Sequence, residues 1–130
     1  MPKKAAIGQF LQEPEEDVEQ IALFRWAAYN QGRWPELKLM FHIPNGGKRS
    51  KAEAVRFKEL GVKAGVSDVF LPVARAGCHG LWIEMKRLRS GRPSKEQLEW
   101  IEAMTAQGFA ATVCHGWEQA VKVIVEYMKG

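Results

Sequence analysis

Two short apolar runs joined by a turn constrain the fold of this chain more than any other feature. The first run covers residues 69–74, the second covers 81–87, and Ala-Gly-Cys-His-Gly at 76–80 connects them. Short runs rich in apolar and aromatic residues on either side of a glycine-containing connection are typical of a β-hairpin. Pro72 lacks a backbone N–H, so it predicts an edge position or a bulge in the first strand. The middle of the chain is therefore predicted to be an antiparallel pair of strands.

Helical patterns surround this hairpin. Apolar residues recur with the 3.6-residue period in the first and last predicted helices, whereas capping boxes mark the start of the two between them. Those boxes are Ser50-x-x-Glu53 and Ser94-x-x-Gln97. The predicted helices cover residues 15–29, 50–60, 94–107 and 117–128.

Two further strands complete the predicted sheet. They cover residues 37–43 and 110–114, and the first ends at Pro-Asn-Gly-Gly at 44–47, a strong turn signal. The resulting order of elements is α-β-α-β-β-α-β-α. This order predicts the α/β class, with one central mixed sheet flanked by helices.

Length and composition are those of a single globular domain. The chain has 130 residues, of which 46% are hydrophobic and 26% charged. Residues 1–13 are predicted to be a flexible N-terminal tail, and 14–130 the folded domain. No stretch approaches the roughly 20 apolar residues of a membrane span, and no apolar segment of a signal peptide follows the basic start. We therefore expect a cytoplasmic protein, in a bacterial or phage-infected cell, with Cys78 and Cys114 reduced.

The positive charge of the chain is unevenly distributed. Lys and Arg number 19 against 15 Asp and Glu, which gives a net charge of +4. Six of these cations lie between positions 48 and 63, and five lie between 86 and 95. Such clusters can follow a phosphate backbone. From charge alone, solvated helix ends and loops explain them equally well.

A set of charged residues at the predicted hairpin indicates chemistry. Glu84 and Lys86 project from the same face of their strand, and Asp68 opens the partner strand. Two converging carboxylates repel each other and need a cation, and oxygen ligands suit Mg²⁺ or Mn²⁺. Such an ion can activate water for hydrolysis of a phosphodiester, with Lys86 beside it. A Glu-x-Lys sequence alone is also common in surface ion pairs. The surrounding residues are therefore needed to distinguish a metal site from an ion pair.

Over about residues 15–127, the chain resembles the VRR-NUC nucleases, a branch of the PD-(D/E)xK superfamily. The matching segments are Glu16-x-x-x-Gln20, His42-Ile-Pro-Asn-Gly-Gly-Lys-Arg49, Gly61-Val-Lys-Ala-Gly-Val-Ser-Asp68, Gly80-Leu-Trp-Ile-Glu-Met-Lys86, Ser94-x-x-Gln97 and Val113-Cys-His-Gly-Trp117.

The resemblance implies a restriction-endonuclease-like core of order αβββαβ. It also implies that Asp68 and Glu84 bind the metal and that Lys86 assists the attacking water. One departure stands beside the site, because Ser67 occupies a position where the family usually has proline. Proline there shapes a turn and binds no metal, so we expect little loss of activity.

The same resemblance extends the site to the helices. Glu16 is expected to add a metal contact, directly or through water, while Gln20 and Gln97 line the site. Glu15 and Glu19 are neighbouring alternatives for the role of Glu16. Each of the three is also explained as a solvated carboxylate that the helix dipole favours.

Phosphate contacts are expected around the turn at 45–49 and in the basic clusters. The turn offers backbone amides and cations, although a tight turn followed by exposed charge is the plain alternative. The residues predicted to contact DNA are Asn45, Lys48, Arg49, Lys51, Lys63 and Arg87.

The expected function is that of a metal-dependent endonuclease acting on DNA. The resemblance to small free-standing, phage-type members implies a homodimer that cleaves Holliday junctions or other branched DNA. A non-catalytic module that binds branched or double-stranded DNA is the main alternative. A metabolic α/β enzyme has little support, since no glycine-rich nucleotide loop is present. Zinc is not expected at Cys78-His79 and Cys114-His115, which lack the short ligand spacings of zinc sites.

Overall fold

The computed structural model describes residues 13–44 and 49–130, and it forms one mixed sheet with helices on both faces. The predicted α/β class and order of elements are confirmed. The elements are α1 (Glu16–Tyr29), a 3₁₀ helix (Pro35–Leu39), β1 (Phe41–His42), α2 (Lys51–Glu59), β2 (Val69–Leu71), β3 (Leu81–Lys86), α3 (Lys95–Ala106), β4 (Ala110–His115) and α4 (Trp117–Lys129).

The sheet has the strand order β1-β2-β3-β4. β2 and β3 form the predicted antiparallel hairpin, with Val69 opposite Ile83 and Leu71 opposite Leu81. β1 is antiparallel to β2, whereas β4 is parallel to β3. The parallel pair needs a crossover, which α3 supplies.

Proline accounts for two differences from the predicted strands. The segment predicted as a strand at 37–43 begins with the 3₁₀ helix, because Pro35 suits the first turn of a helix. Only Phe41–His42 forms a strand in this segment. β2 ends at Leu71, because Pro72 has no N–H for the strand ladder. Pro72 therefore lies beyond the end of the strand, and the expected edge position is wrong, since β2 lies between β1 and β3.

The capping predictions are confirmed at α3 and in part at α2. At α3, Ser94 Oγ accepts from the Gln97 amide (3.2 Å) and Gln97 Oε1 accepts from the Ser94 amide (2.8 Å). At α2, Ser50 Oγ accepts from the Glu53 amide, but the Glu53 carboxylate accepts from the Ser50 hydroxyl instead of its amide.

Strand alternation divides β3 between the core and the site. Leu81, Ile83 and Met85 are buried in the core, together with side chains from β2, α1 and α4. The alternate positions carry Trp82, Glu84 and Lys86 on the opposite face. Among residues 13–44 and 49–130, no helix has the length and apolar content to cross a membrane.

The start of the described chain contacts the segment after β3. Glu13 accepts hydrogen bonds from the Arg89 amide (2.6 Å) and from the Ser90 hydroxyl. The rest of the predicted N-terminal tail, residues 1–12, lies outside the described residues.

Candidate active site

Three carboxylates from three parts of the chain converge at one end of the sheet. Glu16 begins α1, Asp68 precedes β2, and Glu84 lies in β3. One ligand oxygen from each lies within 4.8 Å of the other two. In the part of the chain that the structure describes, this is the one such group of three or more His, Cys, Asp or Glu side chains. The two Cys-His pairs are not part of it.

Backbone contacts fix the position of Asp68. One carboxylate oxygen, Oδ2, accepts a hydrogen bond from the Met85 amide at 2.8 Å. The Asp68 carbonyl accepts from the Ile43 amide at 2.8 Å and lies 2.8 Å from His42 Nδ1. Asp68 is therefore held by β3 through its side chain and by the end of β1 through its backbone.

Glu84 is buried, and its two carboxylate oxygens have different surroundings. Gln97 Nε2 donates to Oε2 at 3.2 Å, and Lys86 Nζ lies 3.4 Å from the same oxygen. Oε1 is buried and has no hydrogen-bond partner among the described residues. A buried polar atom without a partner is costly, which makes Oε1 well suited to be a cation ligand.

Burial and the neighbouring Asp68 carboxylate raise the pKa of Glu84 to about 9, although Lys86 acts in the opposite direction. Without a further cation, this carboxyl group therefore holds a proton at neutral pH. A divalent cation favours the deprotonated ligand and reverses this balance. The three carboxylates, with an unpartnered oxygen among them, fit a hard cation with oxygen ligands.

Lys86 places a positive charge beside the carboxylates. The residue is only 7% exposed. Its Nζ lies 3.4 Å from Glu84 Oε2 and 3.9 Å from Glu16 Oε1. Lys86 is therefore largely enclosed by the protein, and its ammonium group points at the carboxylates rather than into solvent.

The three candidate glutamates of the first helix have separate contacts. Glu15 forms an ion pair with Arg87 at the surface. Glu19 is buried and accepts a hydrogen bond from the Trp117 amide at 2.9 Å, at the N-terminus of α4. A carboxylate there satisfies a free amide and complements the helix dipole. Only Glu16 is part of the carboxylate group.

We expect Glu19→Ala to lower the free energy of unfolding by about 1–3 kcal/mol, because the buried Trp117 amide would lose its acceptor. Glu19→Gln keeps an acceptor oxygen and should retain more of the stability. Urea denaturation followed by circular dichroism measures both. Glu15→Ala is the matched control, because its ion pair is largely exposed and should contribute less than about 1 kcal/mol. Equal stability of Glu19→Ala and wild type would contradict a capping role.

The remaining predicted residues lie in different places. Gln97 contacts Glu84, whereas Gln20 lines a surface groove on α1 with Phe24 and Arg25. Gln20 lies one helical turn after Glu16, and its role at the site stays a prediction. Ser67 is fully buried and its Oγ has no partner among the described residues.

The residues predicted to contact DNA are only partly described. Lys51 is exposed at the start of α2, and Lys63 is exposed beyond its end. Arg49 stacks on Phe57, and Arg87 pairs with Glu15. Asn45 and Lys48 lie outside the described residues. A DNA contact by Arg87 would compete with its pairing to Glu15.

Sequence reasoning assigned no role to two histidines that contact the backbone carbonyls of predicted site residues. His42 Nδ1 contacts the Asp68 carbonyl, and His115 Nδ1 lies 3.0 Å from the Arg87 carbonyl. Each histidine is the last residue of its strand, next to strands that carry the charged residues. That position was the available signal, because polar side chains at neighbouring strand ends can meet.

Comparisons with known proteins agree with this geometry. The model of the VRR-NUC domain family matches residues 14–118, which include all four strands and the three carboxylates. One solved structure, titled "VRR_NUC domain protein", has a TM-score of 0.79 and 31% sequence identity, with 92% of each chain covered. A search of the curated proteins found no match. The resemblance found in the motifs is confirmed, and the chain belongs to the VRR-NUC family of nuclease domains.

Proposed function

We propose that this protein is a metal-dependent endodeoxyribonuclease that hydrolyses phosphodiester bonds with Mg²⁺ or Mn²⁺. The observation that carries the proposal is the convergence of Glu16, Asp68 and Glu84 in a chain of a nuclease domain family. We propose that residues 14–130 form the nuclease domain. The proposed location of the protein is the cytoplasm, where DNA is present.

Asp68, Glu84 and Glu16 would hold the metal, with Glu16 directly or through water. When bound, a divalent cation lowers the pKa of water and neutralises charge that develops on the phosphate. Other residues of the chain orient these ligands. The Met85 amide orients Asp68, and Gln97 holds one oxygen of Glu84 so that the other stays available.

Lys86 would act on the nucleophile. Its ammonium group can donate a hydrogen bond to the attacking water or to a phosphate oxygen. The surrounding carboxylates and the low exposure of its side chain keep this group in place. Positioning of this kind lowers the reorganisation needed in the transition state. Gln20 is proposed as a further residue lining the site.

The finer proposal is a homodimer that cleaves Holliday junctions or other branched DNA. Two sites in one assembly can act on two strands, which a junction requires. One amide and five basic side chains would contact the phosphate backbone. They are Asn45, Lys48, Arg49, Lys51, Lys63 and Arg87.

We expect the purified chain to cleave a labelled four-way junction in Mg²⁺ or Mn²⁺, and to lose this activity when EDTA removes the metal. Denaturing gels of junction, flap and linear duplex substrates measure cleavage and preference. Asp68→Asn is the matched control, because it keeps the shape of the side chain but removes a ligand charge. Binding of DNA with no cleavage of any substrate in either metal would favour the non-catalytic module instead.

Light scattering, without DNA and on a junction, tests the homodimer. A mass of two chains in both conditions is the expected result. A monomer that cleaves junctions would contradict the two-site arrangement while leaving the nuclease proposal intact.

A further inference from the structure

Residues 49–64, which include α2, form an exposed segment that we call the basic arm. α2 buries none of its residues, and every residue from 50 to 64 is exposed except Phe57. A helix without a buried face gains little from packing, so its surface is available for another molecule. The arm carries a net charge of +3 out of +4 for the whole chain. Its charged residues are Arg49, Lys51, Arg56, Lys58 and Lys63 against Glu53 and Glu59.

The chain leaves the candidate active site before the arm and returns to it afterwards. The Ile43 amide donates to the Asp68 carbonyl at 2.8 Å, so the two ends of the intervening segment meet at the backbone of Asp68, whose side chain is part of the site. On the return, Gly65 packs against the backbone of Glu96 in α3, so closely that an added Cβ would lie 2.4 Å from the carbonyl oxygen. The arm is therefore tied to the site at its base.

A cavity of about 570 Å³ lies on this arm and has two kinds of wall. Phe57 and Val62 form an apolar wall, while Arg49, Lys58 and Lys63 supply positive charge. The Arg49 guanidinium lies 4.4 Å from the centre of the Phe57 ring, which holds it at the cavity. Apolar surface next to several cations suits one unit of a DNA backbone, because the deoxyribose has an apolar edge and the phosphate is an anion.

We propose that the cavity of the basic arm binds a sugar–phosphate unit of duplex DNA on one side of the cleaved bond. The proposal deepens the function proposed above and rests on it. Arg49, Lys58 and Lys63 would contact the phosphate, and Phe57 and Val62 would pack against the sugar. Because the segment that contains the arm is closed at its two ends by the contact of Ile43 with Asp68, a contact on the arm would also set the position of the DNA relative to the carboxylates.

The test is the salt dependence of DNA binding by the double variant Arg49→Ala, Lys58→Ala. Fluorescence anisotropy with a labelled duplex, in EDTA so that no cleavage occurs, gives the dissociation constant over a range of NaCl concentrations. Each phosphate contact contributes about 0.9 to the slope of log affinity against log salt. Because the cavity would hold one phosphate, we expect the slope to fall by about 0.9 and the affinity in low salt to fall at least about tenfold. The control, Lys122→Ala with Lys129→Ala, removes the same charge from exposed positions of α4 and should keep the wild-type slope.

Each outcome decides the proposal. An unchanged slope for the arm variant, or an equal fall for arm and control variants, would overturn it. A change in mass by light scattering without a change in slope would also overturn it and assign the arm to contacts between copies. Binding is measured without turnover, so the two proposals can fail separately. If the arm variant lowers the salt slope but the wild-type chain cleaves no DNA, the result supports DNA binding by the arm and contradicts the nuclease proposal.

Discussion

Replacement of Lys86 by methionine is expected to reduce the single-turnover rate of DNA cleavage by about a hundredfold to ten-thousandfold, the range for loss of a positioned proton-transfer or hydrogen-bonding group. Methionine keeps an unbranched apolar stem in the buried position but lacks the ammonium group, which lies 3.4 Å from Glu84 Oε2. Metal binding by the carboxylates should survive the change. The rate at saturating protein and Mn²⁺, measured on a four-way junction, separates loss of chemistry from loss of binding.

The matched control is Lys95→Met, which makes the same chemical change at an 85% exposed side chain on α3. Its cleavage rate should equal that of wild type. The thermal midpoint of both variants, followed by circular dichroism, checks that each is folded. Cleavage by a folded Lys86→Met variant at close to the wild-type rate would show that the catalytic group lies elsewhere.

The hairpin and the side-chain alternation within it were predictable from local sequence. Alternation alone put Glu84 and Lys86 on one face of β3, and pairing with β2 brought Asp68 near them. These features depend on neighbouring residues and on a turn of fixed length. The same holds for the start of α3, where Ser94 and Gln97 complete their capping box.

The assignment of Glu16 could not be reached in this way. Glu15, Glu16 and Glu19 all lie in or beside the first turn of α1, and each is compatible with an acidic helix start. The difference between them arises from tertiary packing. Glu19 contacts the amide of Trp117, and Glu15 contacts Arg87. Local periodicity carries no information on contacts between residues so far apart in the chain. The sequence therefore left three alternatives, of which the structure places only Glu16 in the carboxylate group.

The protonation state of Glu84 also could not be predicted from the sequence. Two acidic residues and a lysine indicate charge compensation, but the raised pKa of Glu84 follows from its burial and from its closeness to Asp68. Both are properties of the assembled sheet. Burial of this carboxyl group in the absence of a cation has a consequence for the free energy of unfolding, which is large enough to measure.

In EDTA at pH 8, Glu84→Gln is expected to be more stable than wild type by about 2 kcal/mol or more. The pKa of Glu84 rises from an ordinary value of 4.5 to about 9 on folding, so the folded wild type binds a proton that the unfolded chain has released. Its free energy of unfolding therefore falls as the pH rises from about 4.5 to 9. One pKa unit corresponds to about 1.4 kcal/mol, and glutamine avoids this loss because it does not titrate. Urea denaturation of both proteins at several pH values measures the difference.

The advantage of Glu84→Gln should disappear as the pH falls towards 4.5, where the carboxyl is protonated in both states. Glu118→Gln, which makes the same chemical change at an exposed position at the start of α4, is the matched control. A difference between Glu84→Gln and wild type that is constant with pH would contradict the proposed cause. Addition of Mn²⁺ at pH 8 should stabilise wild type, because a ligand that binds only the folded state raises its stability, and should stabilise Glu84→Gln far less. The buried carboxyl group of Glu84 thus lowers stability above about pH 4.5 in the absence of a cation and supports cation binding at the same position, which ties the cost in stability to the proposed activity.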